Sequence, residues 1–315
     1  MLRALGSLFF YTRFYSSFSA VGYRRRSAGW AAFRPDYSGK RWLVTGASGG
    51  IGSAIALGAV RGGARVWALA RDPHKLAALR ASGGSNIEAH TVDLSSVRAV
   101  RRSAAALADL GEPIDVLVLN VGVLLDQHAL TDEGFERSFA TNLLNHYVLA
   151  ETLKARGALR PEGCVISMSS GGMYGTGLKL DAMNALSADA HDGMAAYAMH
   201  KRAQVELTRH WNQQWRGQPR AYVMHPGWAD TEGVQSALPW FRAVLKRQLR
   251  NAEQAADTAL WLASVRPAIA AEGGIWLDRE RQPEHAFAFT RQSTPDAAQL
   301  ASFLATQAAR VAEAA

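Results

Sequence analysis

The sequence predicts an α/β protein whose core is one doubly wound parallel sheet. From Arg41 onward, apolar runs of strand length alternate with longer segments of helical periodicity. The runs are almost continuously apolar, which is typical of parallel strands that helices cover on both faces. With 315 residues, 48% of them hydrophobic, the chain can bury the core that a single large domain of this class needs.

The first predicted unit is a strand, a glycine-rich turn and the start of a helix, RWLVTGASGGIG at residues 41–52. Gly46, Gly50 and Gly52 follow the spacing G-x-x-x-G-x-G. Glycine lets the backbone approach a pyrophosphate closely, and a helix N-terminus offers free N–H groups and a positive dipole end. Glycines also close ordinary tight turns, so the motif alone leaves both interpretations open.

The following elements continue the alternation. Further strands are predicted at residues 65–70, 87–92, 114–119, 163–168 and 220–225. The helix after the glycine turn is predicted to end near residue 61, and the next one begins at residue 73. Further helices are predicted at residues 93–110, 131–156 and 196–215 and in the alanine-rich tail at 295–315. We divide the chain into a basic N-terminal segment (1–35), an α/β domain (36–290) with a lid at about 228–250, and a C-terminal helix (291–315). Ligands are expected beyond the carboxyl ends of the parallel strands.

The composition excludes several classes of function. The net charge is +8, but the first 35 residues hold six arginines and no acidic residue, so the rest carries only +2. This distribution argues against a nucleic-acid-binding core. The single cysteine excludes an internal disulfide and indicates a reducing, cytoplasmic environment. The histidines are scattered, and no metal site is predicted.

The N-terminal segment is open to three interpretations. Its apolar run at residues 5–11 is far shorter than the roughly 20 residues that span a bilayer. A packed helix, an interfacial amphipathic anchor and an acid-free targeting segment all fit its composition. The anchor would add peripheral membrane contact to a cytoplasmic location.

Tyr197 and Lys201 supply candidate chemistry. They stand four residues apart in YAMHK, which places a phenol and an ammonium on one face of a helix. A free tyrosine has a pKa near 10, and neighbouring positive charge favours the phenolate and lowers the pKa toward the working range. The spacing alone is common on helices and does not indicate a site. A functional interpretation is favoured by the order in which this pair and the other motifs occur along the chain.

That order resembles the short-chain dehydrogenase/reductase superfamily of Rossmann-fold oxidoreductases. The motifs that carry the resemblance are TGASGGIG, Asp93, N-V-G at 120–122, Asn142, Ser170, Tyr197-x-x-x-Lys201 and Pro226-Gly227. Four segments resemble one member of its retinol dehydrogenase-like branch: MSSGGMY (168–174), YAMHKRAQVELTRHW (197–211), MHPGWADTEGVQSALP (224–239) and EQAADTALWLA (253–263). The likeness covers about residues 36–285.

The resemblance implies a catalytic role for four residues. Tyr197 is the general acid or base at the carbonyl oxygen, and Ser170 donates a hydrogen bond to the same oxygen. Lys201 lowers the tyrosine pKa and binds the nicotinamide ribose. Asn142 holds the water that connects the lysine to solvent. Ser169 is the alternative serine, although the second of the pair matches the family position better.

The resemblance also implies cofactor contacts. They are Gly46, Ser48, Gly50, Ile51 and Gly52 at the pyrophosphate, Asp93 and Leu94 at the adenine, Asn120 and Gly122 along the adenosine ribose, and Tyr197, Lys201, Pro226, Gly227 and Thr231 at the nicotinamide end. Leu119 and Val121 depart from the usual N-N-A-G motif. The second strand ends Ala70-Arg71-Asp72 without a terminal acid. Because an arginine there can pair with a 2′-phosphate, we expect NADP(H) rather than NAD(H).

The expected substrate is a small lipophilic carbonyl compound. One set of apolar residues is open to two interpretations, since its members could line the substrate pocket or belong to the ordinary core. The set is Met173, Tyr174, Leu178, Met183, Leu186, Met194, Trp228, Leu238, Trp240 and Phe241. In the lid, Leu238, Phe241, Leu245 and Leu249 stand at helical spacing among basic residues that include Lys246 and Arg247. This pattern resembles an interfacial helix.

The sequence therefore predicts an NADP(H)-dependent oxidoreductase that acts on an aldehyde or ketone of retinoid- or steroid-like character. The alternative is a non-catalytic dinucleotide sensor with the same fold. The presence of Tyr197, Lys201, Ser170 and Asn142 favours the enzyme, because a sensor would not need the proton relay that these residues imply. An epimerase or dehydratase of the extended branch is disfavoured by the short part after residue 226. The family implies a homo-oligomer.

Overall fold

The computed structural model describes residues 12–231, 235, 239–270, 273–292 and 295–311. Its strands are β1 (Arg41–Thr45), β2 (Arg65–Ala70), β3 (Ile87–Thr91), β4 (Ile114–Leu119), β5 (Leu159–Met168), β6 (Arg220–Met224), β7 (Ile275–Leu277) and β8 (Glu280–Gln282). They form one sheet in the order β3-β2-β1-β4-β5-β6-β7-β8, parallel except for β8. The order reverses between β1 and β4, and a crevice is expected beyond the carboxyl ends of these two strands.

Helices cover both faces of the sheet. They are α1 (Ala20–Ser27), α2 (Gly50–Arg61), α3 (Pro73–Gly83), α4 (Val97–Asp109), α5 (Asn145–Ala155), α6 (Gly193–Gln214), α7 (Pro239–Leu245), α8 (Ala252–Val265) and α9 (Ala297–Ala309). Side chains alternate along each strand between two cores: Leu43 and Leu117 pack with α4, α5, α6 and α9, and Val44 and Val118 pack with α2, α3 and α8. The predicted doubly wound α/β fold is confirmed.

The helix predicted at residues 131–156 begins later. Gly134 lies in a turn with φ of +77°, and Glu136 caps the new helix by accepting hydrogen bonds from the N–H groups of Ser138 and Phe139. The helix starts at Arg137–Phe139, passes through a π-helical turn at Ala140–Leu144 and continues as α5. The predicted start was wrong because the apolar periodicity continues through the turn that precedes the cap.

Residues 12–27 of the N-terminal segment lie on the α/β domain. Residues 12–18 are helical and lead into α1. Phe14 and Phe18 are buried in a third apolar cluster, which also holds Tyr174 and Val223. This part of the segment therefore adds to the core near the carboxyl end of β6.

The lid is described only in part. Leu238 lies outside the described residues, and so does the side chain of Phe241. Leu249 is buried. Trp240 and Val244, one helical turn apart on α7, are 70% and 57% exposed, while Lys246 and Arg247 follow at the surface. No helix within the described ranges is long and apolar enough to cross a membrane.

Candidate active site

The glycine turn between β1 and α2 is a cradle with room for backbone alone. Gly46 has φ of +63°, and a Cβ there would lie 3.0 Å from the Cα of Val121. A Cβ on Gly52 would collide with the carbonyl oxygen of Gly46. The turn therefore requires glycine at both positions and presents bare backbone to the crevice.

Asn120 and Thr45 hold this cradle from behind. Asn120 Nδ2 donates to the carbonyl oxygen of Thr45 (2.9 Å). Thr45 Oγ1 accepts from the N–H groups of Asn120 (2.9 Å) and Val121 (3.1 Å). Asn120 thus supports the loop in addition to its expected place along the ribose. The sequence analysis missed Thr45, whose only signal is a hydroxyl at the last position of an otherwise apolar strand.

The N-terminus of α2 is open toward this turn. Gly49 occupies the N-cap position and provides no side-chain hydrogen bond, so the first N–H groups of the helix have no side-chain cap. Gly50 and Ile51 form the first turn, and a Cβ on Gly50 would lie 3.6 Å from Cγ2 of Thr231. A bare glycine cradle and an uncapped helix N-terminus fit the pyrophosphate of a dinucleotide.

Tyr197 and Lys201 project from α6 beside this cradle. Lys201 Nζ lies 5.6 Å from the centre of the Tyr197 ring and donates to the carbonyl oxygen of Met168 (2.7 Å). A Cβ on Gly122 would lie 3.2 Å from Lys201 Nζ and 3.6 Å from Oδ1 of Asn142. Residues from β4, β5 and α6 therefore converge at the carboxyl edge of the sheet.

The structure separates the two candidate serines. Ser169 is buried and donates its hydroxyl to the carbonyl oxygen of Lys201 (2.7 Å), which ties β5 to α6. Ser170 is partly exposed, and its hydroxyl shares a hydrogen bond with Tyr197. Ser170 Oγ also accepts from the N–H of Gly172 (3.3 Å). The arrangement thus places Ser170 beside the phenol.

Asn142 lies in the π-helical turn before α5. Its side chain pairs with the backbone of Val123, accepting from the N–H (2.7 Å) and donating to the carbonyl oxygen (2.8 Å). Its own carbonyl oxygen accepts from Gln204 Nε2 (2.7 Å). π-Helical turns occur frequently at functional sites. Gln204 was missed in the sequence analysis, although its position three residues after Lys201 puts it on the same helix face.

Burial sets the protonation of the central pair. Burial raises the pKa of Tyr197 above its usual value, although the hydrogen bond with Ser170 acts in the opposite direction. Burial lowers the pKa of Lys201 to about 7. In the chain alone desolvation is the larger effect on the tyrosine pKa, and the lowering expected from neighbouring positive charge stays a prediction for the cofactor-bound protein. The phenol is protonated at neutral pH.

The outer part of the crevice carries the other predicted cofactor residues. Arg71, after β2, is exposed, whereas Asp72 caps α3 by accepting from the N–H groups of His74 and Lys75. Asp93 Oδ1 accepts from the N–H (2.9 Å) and the hydroxyl (2.8 Å) of Ser95. Asp72 is thus engaged by backbone, and Arg71 faces solvent at the carboxyl edge of the sheet.

The loop after β6 closes the crevice on the other side. Pro226 precedes Gly227, which has φ of +74°, and a Cβ on Gly227 would lie 2.6 Å from the carbonyl oxygen of Phe18. Ser48 and Leu94 lie in the turns after β1 and β3.

The apolar residues proposed for the substrate pocket divide into two groups. Met173, Tyr174, Leu178 and Met183 are buried core residues. Leu186, Met194 and Trp240 are exposed, and Trp228 is partly buried. Among the predicted pocket residues whose side chains the structure describes, only the second group is accessible to a ligand from the surface. Within the described ranges, no group of three or more His, Cys, Asp or Glu residues is placed to hold a metal ion.

Comparison with known proteins identifies relatives of this chain. The family model for short chain dehydrogenases matches residues 40–241. The chain is 37% identical to dehydrogenase/reductase SDR family member 12 of Bos taurus over 78% of this chain and 79% of that protein. It is 32% identical to polyprenol dehydrogenase of Mus musculus over 79% and 78% of the two chains, and 31% identical to retinol dehydrogenase 13 of Homo sapiens over 62% and 60%.

A solved structure has the same architecture. It is that of an NAD(P)-dependent gluconate 5-dehydrogenase, as its crystal structure is described, from Beutenbergia cavernae with bound NADP at low occupancy. The TM-score is 0.57 at 25% identity, and the match covers 73% of this chain and 91% of that one. Together these matches confirm the resemblance that the motifs predicted.

Proposed function

This chain belongs to the short-chain dehydrogenase/reductase family, and from that premise we propose that it is an NADP(H)-dependent oxidoreductase that interconverts an apolar carbonyl compound and its alcohol. The observation that carries the proposal is the convergence of Tyr197, Lys201 and Ser170 beside an open glycine cradle. A protein that only senses a dinucleotide needs the cradle but not the phenol, the amine and the hydroxyl.

The proposed roles follow from the contacts of each side chain. Ser170 donates a hydrogen bond to the substrate oxygen and holds it within reach of the Tyr197 hydroxyl. Tyr197 gives its proton to that oxygen during reduction, a transfer that its protonated state at neutral pH favours. Lys201 Nζ donates to the carbonyl oxygen of Met168, which fixes its position. From there the amine would bind the nicotinamide ribose and return a proton to the phenol.

Gly46, Gly50 and Gly52 would hold the pyrophosphate, and the N–H groups at the start of α2 would bind its charge. When bound, the nicotinamide dinucleotide supplies the hydride. Asn142 holds the Gly122–Val123 segment against Lys201 through its paired hydrogen bonds to Val123.

A preference for NADP(H) rests on Arg71. Its guanidinium is free of the Asp72 carboxylate, which caps α3, so it can pair with a 2′-phosphate at the end of β2. We expect Arg71→Ala to weaken NADPH binding by about 10–100-fold, as the loss of a charge-assisted hydrogen bond implies, and to leave NADH binding within about twofold.

Isothermal titration with both cofactors measures this effect. Arg65→Ala is the matched control, because it removes an exposed arginine from the opposite end of β2. Tighter binding of NADH than NADPH to the wild-type protein would contradict the preference.

The proposed substrate class is supported by the relatives and by the exposed apolar residues. Two relatives are named for lipophilic alcohols, retinol and polyprenol. Leu186, Met194 and Trp240 offer apolar surface around the crevice and lid. Exposed Trp240 and Val244 lie near the basic residues Lys246 and Arg247, a combination that would let the lid contact a membrane and take up a lipophilic substrate from it.

A panel of retinals, steroid ketones, aliphatic aldehydes and quinones tests the proposed function, with oxidation of NADPH as the readout. We expect turnover of at least one lipophilic class, at a higher kcat/KM than for polar carbonyls of similar size. Tight cofactor binding without turnover of any class would favour the non-catalytic sensor instead.

A further inference from the structure

The N-terminal segment lies outside the part of the chain that matches the family model, residues 40–241. The structure nevertheless folds residues 12–28 against the loops that border the crevice. Phe18 is the central contact, with only 2% of its surface exposed. Its contacts with the turn after Ser170 and with the loop after β6 suggest more than a place in the core.

The Phe18 ring contacts both loops at once. On one side, a Cβ on Gly171, the residue after Ser170, would lie 2.5 Å from the ring. On the other side, the ring meets Trp228 edge-on at 5.9 Å and His225 at 4.5 Å between centroids. A single side chain thus spans the distance from the Ser170 turn to the loop after β6.

The backbone of the same segment holds the second loop. The carbonyl oxygen of Phe18 accepts from the N–H of Trp228 (2.8 Å) and from Nε of Arg250 (2.9 Å). Arg250 is fully buried, donates also to the carbonyl oxygen of Ser17 (3.0 Å) and pairs with Asp278. The N–H of Ala20 donates to the carbonyl oxygen of Gln248 at the end of the lid (2.7 Å).

We propose that Phe18 is a positioning residue, which sets the separation between the Ser170 turn and the Trp228 loop and so determines how an apolar carbonyl compound sits against Ser170 and Tyr197. This inference rests on the proposed function. Phe18 touches the residues next to the reacting groups rather than the groups themselves. Its main effect is therefore on the placement of the substrate and of the nicotinamide end beside it, whereas the glycine cradle between β1 and β4 would still hold the pyrophosphate, so that overall NADPH affinity changes little.

Phe14 provides a matched control within the same segment. It is likewise buried, at 6% exposure, and stacks on Phe18 at 4.5 Å and on Tyr174 at 5.3 Å. It also meets the ring of Phe287 edge-on at 6.2 Å. Phe14→Ala and Phe18→Ala therefore remove rings of equal size from one cluster. Phe14 contacts the Ser170 turn through Tyr174, whereas the Phe18 ring contacts both this turn and Trp228.

We expect both alanine variants to lower the melting temperature by a similar amount. Phe18→Ala should raise KM for the carbonyl substrate by about 10-fold or more, which corresponds to a loss of about 1.4 kcal/mol or more, with the NADPH dissociation constant within about twofold. Phe14→Ala should leave KM within about twofold. Phe18→Leu, which keeps much of the volume and is the safer variant for folding, should restore most of the loss.

Hydrogen–deuterium exchange provides a readout that does not depend on turnover. In Phe18→Ala and, to a lesser degree, Phe18→Leu, amide exchange should rise in both residues 170–174 and residues 227–231. Because Phe14 stacks on Tyr174, Phe14→Ala can raise exchange in residues 170–174, but it should leave residues 227–231 unchanged. If the wild-type protein reduces no carbonyl, the proposed function fails but the exchange data still decide the positioning role. Equal changes in exchange and KM for the Phe14 and Phe18 variants would overturn the inference, because Phe18 would then act only as core.

Discussion

Replacing Tyr197 with phenylalanine is expected to lower kcat for carbonyl reduction by about 10²–10⁴-fold, the usual contribution of a positioned general acid. The substitution removes the hydroxyl that shares a hydrogen bond with Ser170 and keeps the ring that lies 5.6 Å from Lys201 Nζ. Because the ring remains, NADPH affinity and the melting temperature should change little. Steady-state kinetics with isothermal titration on the same preparation separate the two effects.

Tyr222→Phe is the matched control for this substitution. Tyr222 is also buried, and its hydroxyl donates to the carbonyl oxygen of Pro267 (2.6 Å) beside the second core. Its loss should cost about 1 kcal/mol of stability and leave kcat unchanged. If Tyr197→Phe kept more than about a tenth of wild-type kcat, a water molecule or another side chain would have to supply the proton.

The pKa of Tyr197 bears on the direction of this reaction. Burial raises that pKa in the chain itself, so the phenol carries its proton at neutral pH and is ready to donate it. Oxidation of an alcohol requires the phenolate, which the hydrogen bond with Ser170 and added positive charge next to the ring would favour. The proton that Tyr197 would give to a carbonyl oxygen is therefore already on the phenol in the chain alone.

The sheet could be predicted from the sequence because its strands are short, apolar and separated by clear helix signals. Near-continuous runs such as residues 114–119 allow only a strand that is covered on both faces. The glycine spacing and the four-residue separation of Tyr197 and Lys201 are local patterns, and the structure places them at the same edge of the sheet. Local periodicity was sufficient for these features.

The parts that escaped prediction depend on contacts between distant residues. Nothing near Phe18 in the sequence shows that its ring lies between Gly171 and Trp228, more than 150 residues away. Similarly, Met173 and Leu178 have the composition of a ligand pocket, and only the packing of α6 and the C-terminal loop shows that they are core. The short strands β7 and β8 at one end of the sheet have three residues each, too few for a periodic signal.

Replacing Lys201 with methionine is expected to stabilise the cofactor-free protein at pH 6 while it abolishes most of the activity. Burial lowers the pKa of Lys201 to about 7, against about 10.4 in an unfolded chain, so holding the charge in the fold at pH 6 costs about 4 kcal/mol. Methionine has a similar length and no charge. Its drawback is the lost hydrogen bond to the carbonyl oxygen of Met168, worth about 1–3 kcal/mol, which leaves a net gain of about 1–3 kcal/mol.

The pH dependence of this gain distinguishes burial of the charge from a packing effect. Between about pH 7 and pH 10.4 the unfolded chain binds the lysine proton and the folded protein does not, so the wild-type protein gains stability as the pH rises. The difference in unfolding free energy between Lys201→Met and wild type should therefore shrink by about 2 kcal/mol from pH 6 to pH 8.5 in urea titrations. Lys154→Met is the control, since this lysine also donates to a backbone carbonyl, that of Gln218 (2.9 Å), but at the surface. A gain for Lys201→Met that stayed constant over this range would show that the folded protein does not bear an unfavourable charge at Lys201, and the proposed restoration of the Tyr197 proton by a readily deprotonated amine would lose its basis.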